Sequence, residues 1–173
     1  PTIEQFITEE EIKLLIAEGA ESGVFEKAEQ KMVESIFHIG NRSIRDFMTP
    51  RERVLWLDIN DSLSTIKSKI IGSDLSVFPI CDGTLDKNIG VVETKDILHH
   101  LFSNGMDSVD LKKLVQPVMH IDANVPSLVA IERLKRSAIS IALIAEKSRN
   151  HHIVGIISFH DILEAIVGEF KNT

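Results

Sequence analysis

The sequence predicts an α+β fold in which two tandem β-α-β-β-α units form a pseudo-two-fold pair, preceded by an N-terminal helical hairpin. The main observation is that one order of strand and helix patterns occurs twice, with a period of about 65 residues. The spacing inside the units also repeats, since Gly90 precedes Asp96 by the same six residues that separate Gly155 from Asp161. A third observation is size, because 173 residues with 43% apolar content suit one domain or two small, closely packed ones.

The helical hairpin is predicted over residues 1–40. Thr8 and Glu11 have the spacing of a capping box, and apolar residues follow at helical intervals. Gly23 interrupts this pattern, and a second helix ends at Gly40. Because its apolar residues lie on one face, we expect the hairpin to dock on the domain that follows or on a second copy of the chain.

The first unit covers residues 41–105 and the second covers residues 106–173, with a polar linker over 103–110. In the first unit the pattern predicts, in order, a strand over 54–58, a helix over 63–71, a strand over 77–81, a polar loop over 82–88, a strand from 89 and a closing helix around 96. In the second unit it predicts a strand over 118–122, a helix over 128–134, a strand over 139–145, a polar loop over 146–152, a strand over 154–157 and a closing helix around 161.

Composition and motifs exclude several functions. The net charge of −7 argues against a general nucleic-acid-binding protein, and the single cysteine, Cys81, excludes a disulfide framework. No apolar run approaches the roughly 20 residues needed to span a bilayer. The sequence lacks the nucleophile-elbow, phosphate-loop and zinc-protease motifs, so we expect no catalytic residues. We also expect no metal site, because the histidine pairs 99–100 and 151–152 are adjacent in sequence and chelate poorly.

Ser158 and Asp161 form the one pattern that suggests a ligand. Ser158 precedes the last predicted helix and Asp161 lies in its first turn, where free N–H groups and the helix dipole favour a phosphate. The Asp161 carboxylate is also able to accept both hydrogens of a ribose diol. Helix capping explains the same spacing equally simply, so the residues alone leave both interpretations open.

The repeats resemble a tandem pair of CBS domains, known as a Bateman module. The resemblance covers residues 44–169, through Met48-Thr49-Pro50-Arg51, Phe78-Pro79, and a Gly-x-x-x-x-x-Asp-Ile-Leu motif in each unit. The Met-Thr-Pro-Arg sequence, the closing segment 161–169 and the helical segment 11–29 are similar to the CorC/HlyC (haemolysin C-like, CNNM-like) family associated with magnesium and cobalt transport. This resemblance implies a soluble piece of a longer chain, held at the cytoplasmic face of the plasma (inner) membrane by a membrane domain, and a homodimer.

The resemblance also implies a binding site for an adenine nucleotide, AMP or ATP, with Mg²⁺ as a possible companion. In such pairs the Ser/Thr-x-x-Asp motif of one repeat faces the start and the middle strand of the other, and the adenine would lie between Val77 and Ile141. The first-repeat motif is degraded, because Glu93 stands where a hydroxyl residue is expected and would repel phosphate. The residues implied in binding are Thr49, Ser76, Val77, Phe78, Pro79, Ser140, Ile141, Ser158 and Asp161.

Two departures from the family pattern keep a second interpretation open. Val77 replaces the arginine common at that position, and the segment 146–152 replaces an acidic, glycine-rich turn. Lys147, Arg149 and the histidine pair 151–152 in that segment are candidates for replacement cations. The sequence therefore predicts a regulatory nucleotide-sensing module and, as the alternative, a dimerisation or interaction module whose ligand sites have decayed.

Overall fold

The computed structural model describes residues 6–104 and 108–168. It begins with two helices, α1 (Glu9–Glu21) and α2 (Lys27–Gly40). The predicted capping box is confirmed: the Thr8 hydroxyl accepts from the Glu11 N–H, and the Glu11 carboxylate accepts from the Thr8 N–H. Gly23 lies in the turn between the helices at a φ of +81°, a backbone conformation that glycine adopts without steric cost.

The two repeats then follow, and the predicted α+β fold is confirmed. The first contains β1 (Thr49–Pro50), β2 (Leu57–Asp58), α3 (Leu63–Ile71), β3 (Val77–Asp82), β4 (Thr84–Glu93) and α4 (Thr94–Asn104). The second contains α5 (Leu111–Leu114), β5 (Met119–Asp122), α6 (Ser127–Arg136), β6 (Ile141–Glu146), β7 (His152–Ser158) and α7 (Phe159–Val167). Short 3₁₀ turns occupy Ile44–Asp46, Arg51–Arg53 and Lys147–Arg149.

Each repeat contributes its first segment to the sheet of the other repeat. The first sheet has the order β2-β3-β4 and the second has the order β1-β7-β6-β5. Thr49 of the first repeat therefore pairs with Ile156 of the second. In the pseudo-symmetric position, Gln116 of the second repeat forms an antiparallel bridge with Val91 of the first. This exchange brings the start of one repeat beside the last strand of the other.

The alternation of side chains along β3 and β6 divides the core into three clusters. Phe78 and Ile80 on β3 pack with the helices of the first repeat, and Ala142 and Ile144 on β6 pack with those of the second. The opposite faces of the two strands meet between the repeats, where Cys81 belongs to a third cluster. That cluster also contains Leu85, Leu143, Ala145 and Ile153. Strand periodicity thus builds two repeat cores and one shared interface.

Two element predictions are wrong in detail. The segment 54–58 is a strand only at Leu57–Asp58, and residues 54–56, which follow the 3₁₀ turn Arg51–Arg53, belong to no regular element. The predicted loop over 82–88 is mostly strand: the chain reverses at Gly83 (φ +77°), and β4 begins at Thr84. Part of the predicted linker over 103–110, and Glu169 of the closing motif, lie outside the described residues.

The helical hairpin docks on the second repeat. Helix α2 packs against α7 and, less extensively, against α6. Phe25, from the turn, places its ring against Gly19 of α1, where a Cβ atom would stand 2.6 Å from a ring carbon. The expected docking on the following domain is thereby confirmed. Among the described residues, none of the helices is both long and apolar enough to cross a membrane.

Candidate functional site

A cleft opens between the repeats where the shared interface ends. At one end of this interface Cys81 and Ala145 are closed off from solvent, and at the other end Val77 and Ile141 line a cavity of about 140 Å³. Its lining comprises Thr49, Arg53, Val54, Leu55, Leu75, Val77, Pro79, Ile141, Ile156, Ser158 and Asp161. Six residues singled out from the sequence therefore meet here, namely Thr49, Val77, Pro79, Ile141, Ser158 and Asp161.

The elements that form the cleft explain how residues so distant in sequence meet. Thr49 is carried by β1, whose pairing with β7 sets it opposite Ile156, two residues before Ser158. Val77 and Pro79 lie on the face of β3 that points away from the first repeat's core. The cleft is thus mainly apolar along the strands and polar at the N-terminal end of α7.

Ser158 and Asp161 hold each other in a reciprocal capping box. The Ser158 N–H donates to Asp161 Oδ2 at 2.7 Å, and the Asp161 N–H donates to Ser158 Oγ at 3.0 Å. The structure therefore contains the helix cap that the sequence suggested. The helix cap uses only the Oδ2 atom of the Asp161 carboxylate. The second carboxylate oxygen is able to accept further hydrogen bonds.

A second cavity adjoins the cleft and shares the walls formed by Val77, Ile141 and Ser158. Its volume is about 290 Å³, and its lining is completed by Ser76, Glu93, Ala138, Ile139, Ser140 and His160. Ser76 and Ser140, both singled out from the sequence, therefore lie in this neighbouring cavity rather than in the cleft. Together the two volumes fall within the roughly 300–1,000 Å³ of small-molecule sites.

Phe78 is the residue that the sequence placed wrongly. Its side chain is 0% exposed and packs in the core of the first repeat, so it does not line the cleft. The physical reason is the two-residue period of a strand: when Val77 and Pro79 face the cleft, Phe78 must face the opposite side.

Arg53 was missed from the sequence, and it is a cationic residue in the lining of the cleft. It lies in the 3₁₀ turn after β1, and no carboxylate among the described residues pairs with it. The cations suggested instead, Lys147 and Arg149, precede β7, whereas the cleft lies at its far end, about 20 Å away at ~3.3 Å per residue. The idea that they serve the cleft is therefore wrong. The remaining missed residues are Val54, Leu55, Leu75 and Ile156.

The equivalent motif of the first repeat is engaged by the chain itself. Asp96 accepts a hydrogen bond from Gln116 Nε2 at 3.2 Å, and Gln116 is held beside Val91 by two backbone hydrogen bonds. Glu93 pairs with Lys95 at 2.8 Å, and this carboxylate holds the pKa of the Lys95 ammonium above its ordinary value. A side chain of the second repeat thus contacts one oxygen of the Asp96 carboxylate, in the position where a ligand of the first-repeat motif would lie.

The Cys81 thiol and the side chains able to hold a metal ion are the other reactive groups of interest in the described residues. Cys81 is fully buried, and burial raises the pKa of its thiol to about 11. Thiolate is therefore scarce at neutral pH. Within residues 6–104 and 108–168, no group of three or more histidine, cysteine, aspartate or glutamate side chains is arranged to hold a metal ion.

Comparison with known proteins agrees with the two repeats. The family model described as "CBS domain" matches residues 44–103 and again residues 110–168. A UPF0053 protein of Synechocystis sp. is 36% identical over 96% of this chain, which spans 36% of that protein. The polyamine export protein of Escherichia coli K12 is 27% identical over 94% of this chain, again with 36% of that protein covered. The chain thus spans little more than a third of the curated relatives that it matches.

Solved structures share the same architecture. The CBS domain of a bacterial CNNM/CorC family Mg²⁺ transporter matches with a TM-score of 0.79 and 24% identity, covering 96% of this chain and all of that one. A CNNM/CorC CBS domain in complex with ATP matches with a TM-score of 0.73 at 21% identity, over 82% of this chain and 99% of that one. A CBS-domain pair from Klebsiella pneumoniae with bound AMP matches with a TM-score of 0.62 at 21% identity, over 73% of this chain and 98% of that one.

Proposed function

Because this chain belongs to the CBS-domain family, with two copies of the domain in tandem, we propose that it is a regulatory module that binds an adenine nucleotide in the composite cleft. The observation that carries the proposal is the meeting of Thr49 from one repeat with Asp161 from the other in a single cavity. The ATP and AMP complexes of structurally similar domains support this ligand class.

The chemistry of the cleft suits a nucleoside. Val77 and Ile141 provide apolar surfaces for the faces of a flat base, and the Asp161 carboxylate suits the two hydroxyls of a ribose. The Thr49 hydroxyl and the nearby backbone on β1 supply donors and acceptors for the edge of the base. The cleft belongs to neither repeat alone, so a ligand would fix the position of one repeat relative to the other.

The proposed regulation follows from the position of α7. Its N-terminal end carries Ser158 and Asp161, and its length packs against α2 of the helical hairpin. A ligand that binds one arrangement of the repeats more tightly would shift α7 and with it the hairpin. We propose that this hairpin transmits the change to a membrane domain of the same chain, at the cytoplasmic face of the membrane.

The transport process is inferred from relatives. One relative is named a polyamine export protein, and a structurally similar domain belongs to an Mg²⁺ transporter. Both names concern the movement of cations across a membrane. We therefore propose that this chain regulates cation transport, with divalent cations as the class favoured by the family resemblance.

The alternative function is a dimerisation or interaction module without a ligand. The observation in its favour is the capping box, which accounts for Ser158 and Asp161 by helix stability alone. This interpretation predicts no heat of binding with adenosine, AMP or ATP, whereas nucleotide sensing predicts saturable binding to the same preparation.

A double-mutant cycle tests the composite site. Thr49→Val removes a hydroxyl at nearly constant volume, and Asp161→Asn removes the charge while keeping an oxygen for the cap. We expect Asp161→Asn to weaken AMP binding by about 10- to 150-fold, as for a lost charge-assisted hydrogen bond. We expect the two changes to depart from additivity by about 0.5 kcal/mol or more, because both residues would touch one ligand.

Isothermal titration calorimetry measures these effects, and Asp96→Asn is the matched control because Asp96 occupies the same motif position in the first repeat. We expect that control to bind AMP like the original protein. Strict additivity of the two changes, or a larger loss at Asp96 than at Asp161, would place the ligand elsewhere.

A further inference from the structure

The cavity that adjoins the cleft bears on how many phosphates a bound nucleotide carries. It opens from the cleft between Val77 and Ile141 and reaches the N-terminal end of α7, which bears Ser158. A nucleoside with its base between the two apolar side chains and its ribose at Asp161 directs its 5′ substituent past Ser158. The phosphates would then lie in this second cavity.

Glu93 gives this cavity a negative charge. In the sequence it appears only as a defect of the first repeat's motif, but in the fold it lines the same cavity as Ser158 of the intact motif. Its partner Lys95 does not line the cavity, and 72% of the Lys95 side chain is exposed. An exposed ion pair of this kind is weak, so Lys95 only partly offsets the carboxylate.

Compensating positive charge is scarce among the described residues of the cavity. The other ionisable side chain in its lining is His160, whose Nε2 lies 3.2 Å from the Glu164 carboxylate. Arg53 lines the cleft but not this cavity. Each additional phosphate would therefore bring more negative charge towards Glu93 without a matching cation.

The N-terminus of α7 has few donors left for an anion. The Phe159 N–H donates to the Ser140 carbonyl at 2.8 Å, and the Asp161 N–H donates to Ser158 Oγ. Neither contact uses the N–H of His160. This N–H and the serine hydroxyls are therefore the hydrogen-bond donors available to a phosphate. These donors suit one phosphate better than a chain of three.

We propose that the site selects adenosine or AMP over ATP, and that Glu93 is the residue that sets this selectivity. The inference rests on the proposed function, since it concerns the ligand of the same cleft. Glu93 then has a function of its own. Its carboxylate prevents phosphate binding by the first-repeat motif and also restricts the second-repeat site to ligands of low charge.

Calorimetric titration with adenosine, AMP and ATP tests the inference. The titrations are run in EDTA, because a divalent cation bridging Glu93 and a phosphate would mask the repulsion. We expect the original protein to bind AMP more tightly than ATP. We expect Glu93→Gln to tighten ATP binding by about tenfold, AMP binding by about threefold and adenosine binding by less than about twofold, in the order of their charge.

The matched control is Glu18→Gln, which removes the same charge from an exposed position on α1. An equal gain in ATP affinity from both variants would show a general effect of net charge and would overturn the inference. Equal affinities for AMP and ATP in the original protein, unchanged by Glu93→Gln, would also overturn it while leaving nucleotide binding intact. Absence of binding by all three ligands to every variant would overturn the proposed function and this inference together.

Discussion

Two buried glycines, Gly90 and Gly155, allow each repeat to lie against the first segment of the other. A Cβ atom on Gly155 would overlap the Thr49 carbonyl oxygen and stand 2.7 Å from Met48 Sδ. A Cβ atom on Gly90 would overlap the Gln116 carbonyl oxygen. The backbone φ of Gly90 is +142°, a value that residues other than glycine rarely adopt. These matching constraints are the physical reason for glycine at equivalent positions of the two repeats.

We predict that Gly155→Ala and Gly90→Ala each lower the free energy of unfolding by about 1–3 kcal/mol, as overpacking does. The two differ in their effect on the ligand. Gly155→Ala pushes on Thr49 and should weaken AMP binding by the folded protein, whereas Gly90→Ala pushes on Gln116 and should not. Urea unfolding and calorimetry at a temperature where both variants are folded measure the two effects. Equal binding losses would show that the glycines act only through general stability.

Residue positions were predictable from sequence where a local rule fixes them. The helix-start pattern predicted Ser158 and Asp161, the family resemblance implied Thr49, and the structure brings these three residues to one cavity. Phe78 was carried into the site with its neighbours, although strand alternation alone argues against it. Arg53 was beyond sequence reasoning, because a 3₁₀ turn of three residues has no periodicity from which the direction of a side chain follows.

At the scale of elements, the β3–β4 hairpin is clamped to the second repeat by Arg51 and Asp86. The Arg51 guanidinium donates to both Asp86 oxygens, at 2.7 and 3.1 Å, and to the Ile153 carbonyl at 2.6 Å. Asp86 in turn accepts from the Ile153 N–H at 2.8 Å and contacts His152 Nδ1 at 3.0 Å. The clamp therefore joins the start of the first repeat, its hairpin and the first residues of β7.

We predict that Asp86→Asn lowers the free energy of unfolding by about 1 kcal/mol at pH 7. The effect is modest because the Asp86 side chain is 39% exposed, so solvent screens its charge-assisted hydrogen bonds. Although burial alone would raise the pKa of Asp86, the Ile153 N–H and Arg51 lower it below its ordinary value of 3.8. The contribution of Asp86 is therefore complete above about pH 5, and it is lost as the pH falls through the lower, folded value.

Denaturant unfolding of both proteins between pH 2.5 and 7 measures this difference. We expect the gap in stability between the original protein and Asp86→Asn to stay constant above about pH 5 and to close in stronger acid. The control is Glu132→Gln, which breaks an exposed pair with Arg136 inside α6 and should cost less than about 0.5 kcal/mol. A gap that widens in acid would contradict the assignment of the clamp to an ionised Asp86.

The hairpin also shows why element boundaries were less predictable than element order. The residues of the predicted loop over 82–88 are mostly polar and exposed, and among these seven only Leu85 is fully buried. The pairing of β3 with β4 is irregular around Cys81, which displaces the alternating pattern. The sequence pattern of a solvent-facing strand with a bulge therefore resembles that of a loop. Gly83, just before this strand, is the residue at which the chain turns.

At the scale of the whole molecule, the pseudo-symmetry of the repeats is broken by the helical hairpin. In the second repeat, α2 and the end of α7 form a groove that contains Ile166 and Val167. The equivalent residues of the first repeat are Leu101 and Phe102, and the Phe102 side chain is 73% exposed. A groove of about 150 Å³ between α3 and α4 is lined there by Lys67, Ile70, Ile71, Leu98, Leu101 and Phe102. No helix of the described chain covers this face as α2 covers its counterpart.

We predict that a second copy of the chain covers this groove in a two-fold homodimer, the assembly expected from the sequence. A two-fold axis through the groove pairs it with itself, so one apolar patch buries two equal surfaces. Ile71 is 83% exposed, so Ile71→Glu should leave the monomer folded but place a charge in the interface.

Val24→Glu is the control, because Val24 is a similarly exposed apolar residue (72%) in the distant α1–α2 turn. Sedimentation at tens of micromolar should show a dimer for the original protein and for Val24→Glu, and a monomer of about 19 kDa for Ile71→Glu. A monomeric original protein, or a dimer that survives Ile71→Glu, would exclude this groove as the interface.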